Sequence, residues 1–185
     1  METLECIKAR KSMRKYKSDP VPLEVLKKVL EALQWAPSWA NTQCWEILVV
    51  DDAELKVKLQ ACLPPFNPSF KAMLEAPLVI VVCGRKGRAG FKKGQAMTIH
   101  GDWMSFDCGI ASEHLCLAAR ELGLGTVHVG LMDHKKAKET LGLPEDIEVF
   151  EFIPLGYPAD EFKGPGRKAL AEFVHWNSFG NKKEF

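Results

Sequence analysis

"PLVIVVCG", residues 77–84, is apolar at every position from Pro77 to Cys83, and four neighbours in it, Val79 to Val82, are β-branched. The run is too short for a helix and is bounded by proline and glycine. It reads as a strand with both faces buried, and therefore as a central strand of a sheet covered on both sides. Working back from it, "SFKAMLEA" (69–76) reads as a short helix, "PPFNP" (64–68) as a break, and "DDAELKVKLQACL" (51–63) as a helix with an acidic first turn. "EILVV" (46–50) reads as a second buried strand. Before it, Leu23, Leu26, Leu30 and Leu33 share one helical face, with Pro22 in the first turn and Pro37 forcing a stop. Residues 2–9 make a further short helix.

Working forward, "RKGRAGFKKGQ" (85–95) is glycine-rich and basic, which predicts a loop. From about Met97 to Leu122 runs the longest helical pattern. Its apolar residues Ile99, Trp103, Phe106, Ile110, Leu117 and Leu122 cover much of the circumference, so a central buried helix is expected, with Gly123 at its C-terminal cap. "GTVHVGL" (125–131) reads as a short strand, "KKAKETLGLP" (135–144) as a helix with a glycine stop, and "IEVFEFIPLGYP" (147–158) as a strand. The tail from Asp160 to Phe185 has weak periodicity but carries Phe162, Phe173, Val174, Trp176, Phe179 and Phe185, so it is expected to lie against another surface. No internal repeat or flexible linker interrupts the 185 residues, and a single α+β domain over residues 1–185 is expected.

The bulk composition excludes several classes. The chain is 46% hydrophobic, with 25 basic and 24 acidic residues and a net charge of +1. No global field draws it to nucleic acid or to an anionic membrane surface, and no apolar run reaches membrane-spanning length. The six cysteines (Cys6, Cys44, Cys62, Cys83, Cys108 and Cys116) show no C-x-x-C spacing and sit mostly in apolar runs. Thiols used as small hydrophobes fit a reducing, cytoplasmic setting. The five histidines have no metal-site spacing, so no metal site is expected.

One local excess stands out on this balanced chain. Between Lys8 and Lys17 lie six cations and no acid. Arg10, Ser12 and Arg14 alternate, so in an extended segment they share a face, while Lys11, Met13 and Lys15 take the other. Two guanidinium forks and a hydroxyl can surround a phosphate. From composition alone the simpler reading is a solvated basic turn at a helix C-terminus. Two glycine motifs do not match nucleotide loops. Residues 84–95 lack the G-K-[ST] ending of a phosphate loop, and "GLGTVHVG" follows a helix rather than a strand.

In order along the chain, "RKSMRKY", "PVPLEVLKKVLEALQWAPSWANTQCWEILVV", "DCGIASEHLCLAARELGLGTVHVG", "LGLPEDIEVFEFIPLGYP" and "GPGRKALAEFVHW" resemble the nitroreductase family of flavin enzymes. The resemblance implies a three-layer fold: a central mixed, mostly antiparallel sheet flanked by helices, in an intertwined homodimer. It implies an FMN-dependent NAD(P)H oxidoreductase, with the FMN at the subunit interface and ping-pong hydride transfer through flavin N5 to an electron-poor acceptor such as a nitroaromatic or quinone. The long helix would run through the dimer core and the arm 160–185 would pack on the partner.

The resemblance also assigns residues. Arg10 and Ser12, with Lys11 between them, match the phosphate-binding arm, and Arg167 matches a second basic contact from the far end of the chain. Arg14 matches a basic position near the flavin pyrimidine edge, where positive charge favours the reduced state. Pro37, Ser38 and Asn41 match a loop that packs on the flavin of the other subunit; by themselves they are ordinary turn residues. Trp39 and Cys44 depart from the family pattern, which has small residues and proline there. Val127, His128, Val129 and Gly130 match a segment whose backbone passes N5, with Gly130 permitting close approach. For His128 a packed, hydrogen-bonded role is the simpler reading than acid catalysis. Rival readings are dehalogenation or ring desaturation on the same scaffold, a non-enzymatic flavin-binding regulator, and a polyanion-binding module.

Overall fold

The structure is a computed structural model that describes residues 1–161 and 163–184; Phe162 and Phe185, two of the tail aromatics, lie outside the described residues. In chain order the elements are α1 (Thr3–Ala9), α2 (Leu23–Gln34), a 3₁₀ turn (Trp39–Asn41), β1 (Trp45–Val50), α3 (Ala53–Gln60), α4 (Ala72–Glu75), β2 (Leu78–Arg85), β3 (Phe91–Lys92), β4 (Gln95–Ala96), α5 (Met104–Glu121), β5 (Gly125–Thr126), α6 (His134–Thr140), β6 (Ile147–Gly156) and α7 (Leu170–Phe173). The main sheet has the order β1-β2-β6-β5 with every neighbour antiparallel. A parallel bridge from Ser12 to Thr126 extends it beyond β5.

The central strand is where the sequence put it. Val79 to Cys83 have no solvent exposure. Alternate residues divide between two cores. Leu78, Ile80 and Val82 pack with Leu26, Val29 and Leu33 of α2 and with Cys108, Ala111, Leu115 and Ala119 of α5. Val79, Val81 and Cys83 pack with Leu59 of α3, Met73 of α4 and Ala137 of α6. This is a three-layer α+β arrangement. Each fully buried valine or isoleucine in it contributes about 1.5–3 kcal/mol. β6 serves both cores through a bulge. Glu151 pairs with Val82 but Val149 pairs with Cys83, so Phe150 is an extra residue. The parity of the strand reverses there: Ile147 and Val149 face the α3–α6 core before it, and Phe152 faces that same core after it.

Several elements differ from expectation for physical reasons. α5 begins at Met104, seven residues later than the apolar pattern suggests. The Asp102 carboxylate accepts from the Met104 amide and fixes the entry into the helix, and Ile99 lies outside it, 97% exposed. Its other end follows the sequence. Gly123, with φ +80°, donates to the Arg120 carbonyl while Leu124 donates to that of Ala119, a Schellman closure. On α2, Leu26, Val29 and Leu33 form the buried stripe, while Leu23 is 74% exposed. β1 is an edge strand with only Val50 fully buried, because no described strand covers its outer side. Within the expected loop 85–95, Phe91–Lys92 and Gln95–Ala96 pair as a two-residue hairpin. β5 is two residues long, and a separate bridge joins Val129 to Phe152. All six cysteines are buried and free. Among the described residues no helix is long and apolar enough to cross a membrane.

Candidate functional site

Residues 10–16 leave α1 in an extended path. Arg10 caps the helix with φ −62° and ψ 128°. The Met13 amide then donates to the Thr126 carbonyl at 2.8 Å, and Tyr16 bridges to Pro158. Gly125 makes this close run possible, because a Cβ there would lie 2.8 Å from Cβ of Met13. The extension required for the alternation of Arg10, Ser12 and Arg14 is therefore present.

These three line an open cavity of about 870 Å³ together with Lys8, Lys163, Arg167 and also Lys11, which strict alternation puts on the opposite face. Both ends of the chain thus supply one site. Six cationic side chains line it and, among the described residues, no acidic one. Lys163 is a cation that the sequence reading did not single out; only the fold brings it across from Lys11, whose stem packs beside Gly164. Arg14 is aimed by its Nε bond to Ser69 Oγ (3.3 Å) and an Nη1 bond to the Ser12 carbonyl (3.3 Å). Arg167 donates to the carbonyls of Pro165 and Gly166.

A carboxylate just outside the lining connects the arm to the segment after β5. Glu113 Oε1 lies 3.1 Å from Arg10 Nε, and its Oε2 lies 3.4 Å from His128 Nε2. His128 Nδ1 lies 2.7 Å from Glu151 Oε2, and Nε2 lies 3.4 Å from Cys116 Sγ. The Cys116 sulfur and the two carboxylates push the His128 pKa up to about 12. Such an imidazolium holds its proton too firmly to act as a general acid near neutrality. The side chains of Val127 and Val129 turn into the core. At Gly130 a Cβ would meet nothing nearer than the Phe150 carbonyl at 3.8 Å, so the fold of this chain does not itself demand glycine there.

Pro37, Ser38 and Asn41 are not brought to this cavity. They belong to a separate loop in which three non-glycine residues, Ala40 (φ 45°), Asn41 (φ 55°) and Gln43 (φ 47°), occupy the left-handed region. Residues in such regions cost on the order of 1–3 kcal/mol each and require support. Ser38 Oγ accepts from the Gln43 amide (2.9 Å), Asn41 Oδ1 accepts from Gln43 Nε2 (3.2 Å), and Asp107 Oδ2 accepts from the Trp39 amide (3.0 Å). Asp107, on α5, is buried, and that burial raises its pKa. The sequence reading missed it; its signal is an acid in an otherwise apolar helix face. The Trp39 ring lies against Trp103 with centroids 5.2 Å apart, and Trp103 meets Phe106 at 5.2 Å.

The family description Nitroreductase family matches residues 7–63 and 66–157. The chain belongs to the nitroreductase family. Among relatives of this nitroreductase-family chain is a Methanothermobacter thermautotrophicus protein with the provisional name NADH dehydrogenase/NAD(P)H nitroreductase. It is 35% identical over 92% of this chain and 83% of its own length. An iodotyrosine deiodinase of Thermotoga neapolitana is 27% identical over 93% of this chain and 96% of its own. Among solved structures, an FMN-dependent nitroreductase of Clostridium difficile R20291 superposes with a TM-score of 0.79 at 31% identity, covering 95% of this chain and 99% of that one.

Proposed function

We propose that the chain is an FMN-dependent NAD(P)H oxidoreductase that reduces an electron-poor aromatic acceptor, a nitroaromatic or quinone, and works as a homodimer with its sites between subunits. The observation that carries this reading is the cavity where cations from both ends of the chain converge, in a chain similar to an FMN-dependent nitroreductase. The donor set fits the cofactor. Arg10, Ser12 and Arg167 offer charge-assisted hydrogen bonds to its phosphate, and Lys11 adds charge beside them. A volume of about 870 Å³ lies within the range of ligand pockets. Arg14, held by Ser69 and the Ser12 carbonyl, would set a positive charge at the pyrimidine edge of bound FMN and favour its reduced state. The backbone of Val127, His128, Val129 and Gly130 would lie by the reacting edge of bound FMN, and the two valines anchor it in the core.

Pro37, Ser38 and Asn41 complete the partner's site. Their loop lies off the cavity of its own chain, and its strained backbone presents an exposed Asn41 whose amide can both donate and accept. The tail supports a dimer as well: Leu170, Phe173 and Phe179 are exposed on a segment that follows the basic cavity.

Bound FMN supplies hydride transfer through its N5. The protein holds and orients, and no protein nucleophile is needed. Reductant and acceptor visiting one face in turn give ping-pong kinetics. The buried free cysteines support placement in a reducing cytoplasm. The deiodinase relative favours one alternative, reductive dehalogenation on the same scaffold.

An absorption spectrum of the purified protein, followed by release and sizing of the chromophore, tests the cofactor. Steady-state NAD(P)H oxidation with nitroaromatic, quinone and halotyrosine acceptors then separates the reactions. Flavin bands, an FMN-sized product and parallel-line kinetics with a nitroaromatic or quinone are expected. A colourless protein that gains no flavin on incubation with FMN would overturn the reading.

A further inference from the structure

One cluster of side chains beside the cavity has no task in the flavin reading, which uses only the backbone of His128. Glu113 and Cys116 stand three residues apart on α5 and face the same way, towards His128 after β5. Their ligating atoms (a Glu113 oxygen, Cys116 Sγ and a His128 ring nitrogen) all lie within 4.8 Å of one another. Nε2 of His128 is 3.4 Å from Cys116 Sγ and 3.4 Å from Glu113 Oε2. A tetrahedral zinc ion with metal–sulfur, metal–nitrogen and metal–oxygen bonds of about 2.3, 2.0 and 2.0 Å gives ligand–ligand edges of about 3.3–3.5 Å. The two distances from Nε2 match those edges, and the third, from Cys116 Sγ to the Glu113 oxygen, is within 4.8 Å.

We propose that Glu113, Cys116 and His128 form a binding site for a zinc-type divalent cation, with a fourth position open to water. Three features of the surroundings support it. His128 Nδ1 faces Glu151 Oε2 at 2.7 Å, the carboxylate–histidine pairing that leaves Nε2 as the ligating nitrogen. Glu113 splits its oxygens, Oε1 to Arg10 Nε at 3.1 Å and Oε2 towards the cluster, so Arg10 orients the carboxylate without occupying the ligating atom. Access is one-sided. Cys116 is wholly buried and closes the back, while the Glu113 and His128 side chains are 42% and 34% exposed and admit the ion from solvent.

Without a metal, Nε2 carries the second proton of the imidazolium, with the sulfur and Glu113 Oε2 each 3.4 Å from that nitrogen. A dication takes the place of that proton and of the thiol proton, both released to solvent, and satisfies all three groups at once. Thiolate, imidazole and carboxylate together select zinc over magnesium or calcium. The site would fasten α5 to the segment carrying Val127–Gly130. It stands on this cluster alone and holds whether or not the cavity takes FMN.

The test is zinc loading of the full chain as purified, with desalting, metal analysis and zinc X-ray absorption. One zinc per chain is expected, with one sulfur neighbour at about 2.3 Å and nitrogen or oxygen neighbours at about 2.0–2.2 Å. Cys116→Ser should remove the sulfur neighbour, and the partly exposed His128→Asn should abolish retention without endangering the fold. Glu151→Gln should weaken affinity about 10–100-fold with the sulfur neighbour kept. Failure to retain zinc stoichiometrically would overturn the proposal. So would a sulfur neighbour that survives Cys116→Ser, or retention unchanged in His128→Asn.

Discussion

The basic cavity and the loop around Ser38–Gln43 are built by opposite means. The cavity gathers like charges, and the arm that supplies Arg10, Ser12 and Arg14 is ordinary extended chain along β5. The loop presents uncharged side chains and holds three residues in the left-handed region against the support of Asp107 and Ser38. One region is suited to an anion; the other is suited to a shaped, neutral hydrogen-bonding edge. They lie apart within one chain, and on the proposed dimer each completes the other's site. The contrast predicts that damage to the cavity appears in ligand affinity, damage to the Asp107 support of the loop in stability, and damage to the exposed Asn41 in the flavin affinity of the partner's site.

The largest expected effect is on the cavity side. Arg10→Ala removes charge-assisted bonds of about 1.5–3 kcal/mol and should lower FMN affinity roughly 10–100-fold. Its pair with the solvent-accessible Glu113 contributes about 1 kcal/mol to folding. Flavin content after gel filtration and urea denaturation read these separately, and equal flavin content in variant and wild type would remove the clamp. Next comes the loop. Asp107→Ala leaves the Trp39 amide without its acceptor and should cost about 1–3 kcal/mol of stability, read by urea midpoint and by dimer dissociation. An unaltered midpoint would show that the strained backbone needs no such anchor.

A smaller effect is in pH. Burial raises the folded-state pKa of Asp107 above 3.8, so the stability linked to its proton is fully present below that value and is lost as pH rises through the folded pKa. Asp107→Asn should flatten this part of the stability profile while keeping an acceptor for Trp39; an unchanged profile would assign the slope to other groups. The smallest effect is expected at Trp39→Ala, which opens the aromatic contact with Trp103 and should change acceptor KM a few-fold, with kcat for NAD(P)H oxidation little altered.

Much of this was legible in the sequence because it is local. "PLVIVVCG" announced a strand buried on both faces, and the alternation of Arg10, Ser12 and Arg14 announced a cationic face once the segment was extended. What failed depended on single capping bonds or on edges. The apolar period ran through Ile99 into α5, but Asp102 sets the helix start at Met104. "EILVV" has the composition of a core strand yet lies at the sheet edge. Lys163 and Asp107 act through contacts with residues far away in the chain, which no local pattern encodes. Glu113 and Cys116 show a readable helical spacing, but their histidine arrives only through the packing of α5 against the sheet.

The most direct test of two half-sites from two chains is complementation. Arg10→Ala and Asn41→Trp chains, each poor in flavin alone, are mixed under dissociating conditions and reassembled. In the heterodimer one site carries both lesions and the other carries neither. The account predicts that each heterodimer regains one wild-type flavin site, with NAD(P)H oxidation restored in proportion. Mixed dimers that form but remain as flavin-poor as their parents would contradict it.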